Sequence, residues 1–199
     1  MLELRVPAEH TGATYFYLVV EKVSKFAMGG TMRGYSEVNV TSALNEIRAR
    51  VRPTHGDIEI IRMDSHPSHR GKHVRDYMLE AQQHMQLSPP YVHEGVGDVE
   101  NFFLHHVPSA NAILAAAPDL GENHFAQAMR YVIDAKNHSV SAVLSNASDN
   151  SDPKSPAMVF YSLDTFMSSG LHAFGSAAKA LVHGEARDSK FSTRQRVPL

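Results

Sequence analysis

The chain has 199 residues, 43% hydrophobic and 20% charged, a balance that builds a core and excludes a disordered chain. Nineteen Lys and Arg against twenty-one Asp and Glu give a formal charge of −2, without the basic excess usual in nucleic-acid modules. Cysteine is absent, which excludes disulfides, Cys-ligated metal centres and thiol nucleophiles, whereas thirteen histidines invite a metal or proton-transfer role.

The first predicted strands cover residues 2–6 and 14–20, rich in aromatic and β-branched side chains. A third follows at 26–33, where Gly29-Gly30 suggests a bulge or bend. Val40, Leu44, Ile47 and Val51 then recur at helical spacing and predict a helix over 36–51, with Ser36 as N-cap. Residues 57–63 read as a buried strand ending at Asp64, and 72–85 as a helix with Val74, Met78, Ala81 and Met85 on one face. A short strand at 86–88 is stopped by Pro89-Pro90. A long helix over 98–117 contains Pro108, which should kink it, and another spans 122–136.

The Ser/Asn/Asp/Pro-rich stretch 145–154 reads as linker, Ser155-Pro156 as a capped helix start, and 171–182 as strand-like. This order predicts a mixed α/β sheet with helices on its faces. The division expected is a core at 1–140, a linker at 141–154 and a short C-terminal extension at 155–199. No apolar run approaches the roughly 20 residues of a membrane span, and the N-terminal residues lack a secretory signal. An intracellular protein without a membrane partner is expected.

Two carboxylates stand out by placement. Asp64 ends a strand, where open α/β sheets usually carry their sites. Glu100 lies in the first turn of the long helix, thirty-five residues further on. Acids from two elements that meet at a sheet edge can bridge divalent metals for phosphoryl transfer. Spacing alone equally fits a turn Asp and a Glu that complements a helix dipole.

The residues around the pair carry a resemblance. Ile60-Ile61-Arg62-Met63-Asp64, Gln86-Leu87-Ser88-Pro89-Pro90-Tyr91 and Gly97-Asp98-Val99-Glu100 resemble the catalytic core of copia-type retrotransposon integrases. That family has a strand ending in Asp, a Ser-Pro-Pro-Tyr segment and a Glu at a helix start with the same spacing. Similar segments continue in order: residues 15–26, the Ala-rich helix ending in Asn137, Ser155-Pro156 and Leu171-His172-Ala173-Phe174-Gly175.

The resemblance implies an RNase H-like fold with a mixed five-stranded sheet. It implies joining of DNA ends to target DNA with Mg²⁺ or Mn²⁺, in a homo-oligomer, in the nucleus or a cytoplasmic particle. Asp64 and Glu100 would be catalytic metal ligands. Tyr91, His93, Arg70 and Lys72 would contact DNA. The first acid of the family falls on Glu3, in Glu3-Leu4-Arg5-Val6-Pro7, where the family has Asp. Glu21 is the next candidate, at a position the family does not use catalytically.

Other departures point to reduced activity. Ser65-His66-Pro67-Ser68-His69 replaces the family's Asn-Gly-acid stretch, and Asn101-Phe102-Phe103-Leu104-His105-His106 replaces its basic residues. The family's zinc-binding segment would need cysteine, so a fragment or decayed element is expected. The rival reading is an inactive RNase H-like domain that binds nucleic acid or protein. A nuclease of the same fold is a third. The histidines fit hydrogen-bonded or exposed positions as readily as ligands. His66, His69 and His73 are placed near Asp64, and His93, His105 and His106 near Glu100. Their protonation below about pH 6.5 would make the chain basic and strengthen DNA binding.

Overall fold

Alternation along one strand sets the layers. In the computed structural model, which describes residues 1–8, 11–89, 97–146, 153–164, 172–178 and 197–198, β1 (Leu2–Glu3), β2 (Tyr15–Val20) and β3 (Ala27–Met32) form an antiparallel sheet in the order β1-β2-β3. Successive side chains of a strand point to opposite faces. Phe16 and Leu18 therefore join one buried cluster, with Met129, Val132 and Ile133, while Tyr17 joins another, with Ile47 and Phe160.

The β2–β3 pairing runs without interruption through Leu18↔Gly29 and Tyr17↔Gly30, so the expected bulge is not there. The glycines serve packing instead. A Cβ on Gly29 would lie 2.6 Å from Cζ of Phe16 and 2.7 Å from Cδ1 of Ile133, and one on Gly30 would strike the Tyr17 ring. The aromatic rings of β2 lie flat over β3 because these two positions carry no side chain. The turn between the strands is held by Glu21, whose carboxylate accepts from the N–H of Val23 (2.9 Å), the N–H of Ser24 (2.6 Å) and Oγ of Ser24 (2.5 Å).

Helix α1 (Glu37–His55) begins as expected, with Oγ of Ser36 accepting from the N–H of Asn39. It runs a turn further than its apolar repeat and stops at Gly56 (φ 75), whose N–H reaches the Arg52 carbonyl. That left-handed residue favours glycine. The buried Val40 and Leu44 of α1 meet Val74 and Met78 of α3 (Lys72–Glu80), which follows the short α2 (Pro67–Arg70). Helix α3 ends before residue 85, because Met85 belongs to β5 (His84–Leu87), which pairs in parallel with β4 (Ile60–Met63).

Two sheet expectations are corrected here. Strand β4 is not buried: its residues alternate exposed and half-buried, and Ile60 is 54% exposed. Nor is there a single five-stranded sheet among the described residues; β4 and β5 pair only with each other. Strand β1 pairs with β2 at Leu2↔Phe16 and Glu3↔Tyr15, and among the described residues no strand links β1 or β2 to β4. A two-residue sheet of β6 (Ala177–Ala178) and β7 (Val197–Pro198) completes the strands described; of the strand expected at 171–182, residues 172–176 are loop and turn instead, and 171 and 179–182 lie outside the described residues.

Helices α4 (Gly97–Ala115) and α5 (Phe125–Asn137), the latter preceded by a 3₁₀ turn (Glu122–His124), pack on the Phe16 face of the sheet. Pro108 lies inside α4 on an exposed position. A polar lock joins this layer to the sheet. Nδ2 of Asn137 donates to the Ala27 carbonyl (2.8 Å), and Oδ1 accepts from the Ala27 N–H (2.9 Å), with both residues buried. After α6 (Ala142–Asn146), helix α7 (Pro156–Phe160) starts on Ser155, whose Oγ accepts from the N–H of Met158. It stacks Phe160 on Phe26 at a 4.3 Å ring separation, closing the Tyr17 face. No helix among the described residues is long and apolar enough to cross a membrane.

Candidate functional site

Asp64 follows the last residue of β4, and Glu100 lies in the first turn of α4, as the sequence places them. Both line one cavity of about 770 Å³ bounded by β2, β3, β4, α1 and α4. Both also act on one further group. The α-amino group of Met1 is pushed below its ordinary range by burial, while the charges of Asp64 and Glu100 oppose that shift. Asp98, beside Glu100, forms an ion pair with Lys25 at 2.9 Å, which ties the β2–β3 turn to the start of α4.

The segment after Asp64 folds back over it. His66 caps α2, with Nδ1 accepting from the N–H of Ser68 at 3.2 Å, and Pro67 fits the first helical turn. This turn carries His69 inward. Its side chain is 9% exposed, and Nδ1 lies 2.6 Å from Oδ1 of Asp64 and 3.0 Å from the Asp64 carbonyl oxygen. With Nδ1–H donating, the other ring nitrogen accepts from the Tyr35 hydroxyl at 3.0 Å. Tyr35 also stacks on the His66 ring at 3.9 Å, and its carbonyl accepts from Oγ of Ser68.

The outcome is a chain of hydrogen bonds from Tyr35 through His69 to Asp64. The hydrogen bond from His69 holds the Asp64 carboxyl below its usual range against the opposing effect of burial. Burial, followed by the Asp64 charge, pushes the Tyr35 phenol well up. Tyr35 had no distinguishing mark in the sequence. His66 and His69 had one: a His at each end of a Pro-Ser turn directly after a strand-end Asp.

Of the other expected residues, Glu21 also lines this cavity, and Glu3, Arg70 and Lys72 do not. Glu3 is exposed on β1, opposite Tyr15, and is not part of the lining of the cavity shared by Asp64 and Glu100. Glu21 is engaged in its own turn, where burial pushes its carboxyl up but the hydrogen bonds from Ser24 and Val23 hold it below the usual range. Arg70 and Lys72 are exposed at the junction of α2 and α3 and do not line the cavity. Tyr91 and His93 lie outside the described residues. The backbone N–H of His73 donates to Glu37. His106 packs on the Phe102 ring, and burial pushes it below the usual imidazole range.

A two-metal centre of the kind the resemblance implies needs three converging acids. Among the described residues, no three His, Asp or Glu side chains form a group that could hold a metal ion. Four carboxylates line the cavity, of which Glu21 is bonded within its turn, Asp98 to Lys25 and Asp64 to His69, and the position expected for the first acid, Glu3, is not among them.

No family model matches the sequence, and no curated protein matches it. Among solved structures, a chain of the simian T-cell lymphotropic virus intasome in complex with PP2A regulatory subunit B56 gamma is similar, with a TM-score of 0.61 and 13% sequence identity. The likeness covers 89% of this chain and 56% of that one. It is a likeness of fold, and this chain spans little more than half the length of its neighbour.

Proposed function

We propose that the chain is an RNase H-like domain related to integrase cores, and that it serves as a binding module rather than performing metal-dependent strand transfer itself. The relation to integrases is supported by the fold likeness over most of the chain, together with the order of the sequence segments around Asp64 and Glu100. The observation that carries the loss of chemistry is the donor set. Bridging two metals in phosphoryl transfer demands close convergence of several acidic oxygens, whereas here Glu3 is off the cavity and His69 is bonded to Asp64.

The second reading keeps the activity. Asp64 and Glu100 on one cavity favour it, with Mg²⁺ or Mn²⁺ as the ion, DNA ends and target DNA as substrates, and a homo-oligomer as the working form. One assay separates the two: Mn²⁺- or Mg²⁺-dependent joining of a labelled DNA end by the wild type and by Asp64→Asn. The binding-module reading expects background joining from both. Joining by the wild type that disappears in Asp64→Asn would establish the catalytic reading.

A further inference from the structure

Helix α4 differs from the other long helices on its outer side. From Asn101 to Pro118 the sequence has no Asp, Glu, Lys or Arg, whereas α1 carries Glu46, Arg48, Arg50 and Arg52, and α5 carries Arg130, Asp134 and Lys136. The inner side of α4 is accounted for: Phe102 and Ala110 are buried, and Val99, Phe103 and Val107 pack against the same cluster. On the other side Asn101, Leu104, Pro108, Ala112 and Ala115 are exposed, Leu104 at 68%. Their spacing of three, four, four and three residues sets them in one row, about 21 Å long at a rise of about 1.5 Å per residue. A surface helix normally turns charged side chains to water. This one turns out an uncharged row in which a leucine projects beside two alanines.

Charge at the two ends of the row defines what fits it. A helix carries partial positive charge at its N-terminus and partial negative charge at its C-terminus. Asp98 and Glu100 lie in the first turn, where the dipole favours acids, and Asp98 is also paired with Lys25. At the other end the dipole is unopposed: the last turn has no basic residue, and the exposed Asp119 and Glu122 follow it. Nucleic acid is disfavoured, because its phosphates need cations and the row offers none. A second copy would bring the same row and the same acids, with no cation for Asp119 and Glu122. We propose that the outer face of α4 docks an amphipathic helix of a partner protein, apolar along about three turns and basic at the end that meets Asp119 and Glu122. The proposal names a partner class for the binding module and rests on that reading.

The test is fluorescence anisotropy of two labelled synthetic peptides titrated with the full chain. Each is a helix of about eighteen residues, with leucines three and four apart on one face and alanine and glutamine elsewhere. One carries a pair of lysines at its N-terminus and the other at its C-terminus. At least one is expected to bind the wild type with a Kd below about 100 μM. Leu104→Glu changes an exposed position and should weaken binding about tenfold or more. Asp119→Lys with Glu122→Lys should weaken it about fivefold, and a peptide with glutamates in place of the lysines should then bind the lysine variant better than the wild type. Urea midpoints show whether each variant keeps its fold, and Ala112→Glu on the same row repeats the test should Leu104→Glu lose it. No binding of either peptide at about 1 mM, or binding unchanged in the row variants or in the lysine variant, overturns the proposal. A doubled mass without peptide, lost in Leu104→Glu, overturns it in favour of a second copy, and displacement of the peptide by double-stranded DNA overturns it in favour of nucleic acid. The DNA-joining assay is separate: joining lost in Asp64→Asn removes the binding-module reading and leaves the peptide result standing.

Discussion

Replacing Asn137 by Ala removes the lock between α5 and β3. Both backbone groups of Ala27 lose their side-chain partner, at 2.9 Å for the N–H and 2.8 Å for the carbonyl, in a place where Ala27 is 1% exposed. An orphaned buried polar group costs about 1–3 kcal/mol. Two would cost about 2–6 kcal/mol, and the lower half of that range is expected because the polar hole left behind has room and partners for a water. For a domain of this size each kcal/mol lowers Tm by about 2–4 °C, so the loss of about 2–4 kcal/mol in Asn137→Ala should lower Tm by about 4–16 °C. Urea titration followed by circular dichroism reads the loss as a lower midpoint at unchanged slope. Asn137→Asp sharpens the test. The carboxylate still accepts from the Ala27 N–H but faces the Ala27 carbonyl with no donor, whereas the protonated acid restores one. The Asp variant should therefore be less stable at pH 7 relative to wild type than at pH 4. A loss under 1 kcal/mol in the Ala variant, or no pH dependence in the Asp variant, would refute the assignment of the lock.

Gly29→Ala drives a methyl group to within 2.6 Å of the Phe16 ring, and overpacking of that kind should cost about 1–3 kcal/mol in a urea titration. Ser155→Ala deletes the N-cap of α7 and should cost about 1 kcal/mol by the same measurement, with Ser155→Asp recovering most of it. In His69→Ala the Asp64 carboxyl, observed by NMR titration, should rise toward the ordinary value of about 3.9, since its largest lowering influence is gone. The sign for stability follows. A depressed carboxyl contributes above its unfolded pKa and loses that contribution as pH falls through its folded pKa. The difference between wild type and His69→Ala should thus shrink below about pH 4, and a difference that grows there would contradict the His69–Asp64 pairing.

The elements whose partners lie nearby were legible in the sequence. Ser36 and Ser155 cap the helices that their position announces, because a cap is a local hydrogen bond between a side chain and the backbone three residues on. Strands β2 and β3 appear within a residue of their expected limits for the same reason, whereas β1 covers only Leu2–Glu3 of the expected 2–6. The run Ile60-Ile61 states hydrophobicity, while burial of β4 depends on neighbours, and among the described strands it has β5 alone. Gly29-Gly30 was misread as a bulge because the rings of Phe16 and Tyr17 lie across the sheet, outside any local pattern. At the site, the placement of Asp64 and Glu100 on strand end and helix start was readable. The contact of Tyr35 with His69 was not: it joins residues thirty-four apart through a fold-back that no periodicity encodes.

The Asn137 lock also has a consequence in time. It joins residues 110 apart in the chain. A ribosome adding about 5–20 residues per second delivers Asn137 roughly 5–20 s after Ala27. Throughout that interval the β2–β3 hairpin is complete in sequence, but its Phe16 face lacks the α5 side chains that cover it in the folded chain. Hairpins form in microseconds, so the nascent chain holds a sticky, half-covered sheet for most of its synthesis. The birth of this domain is its most aggregation-exposed period, and a chaperone that binds apolar β-surface would find its target there.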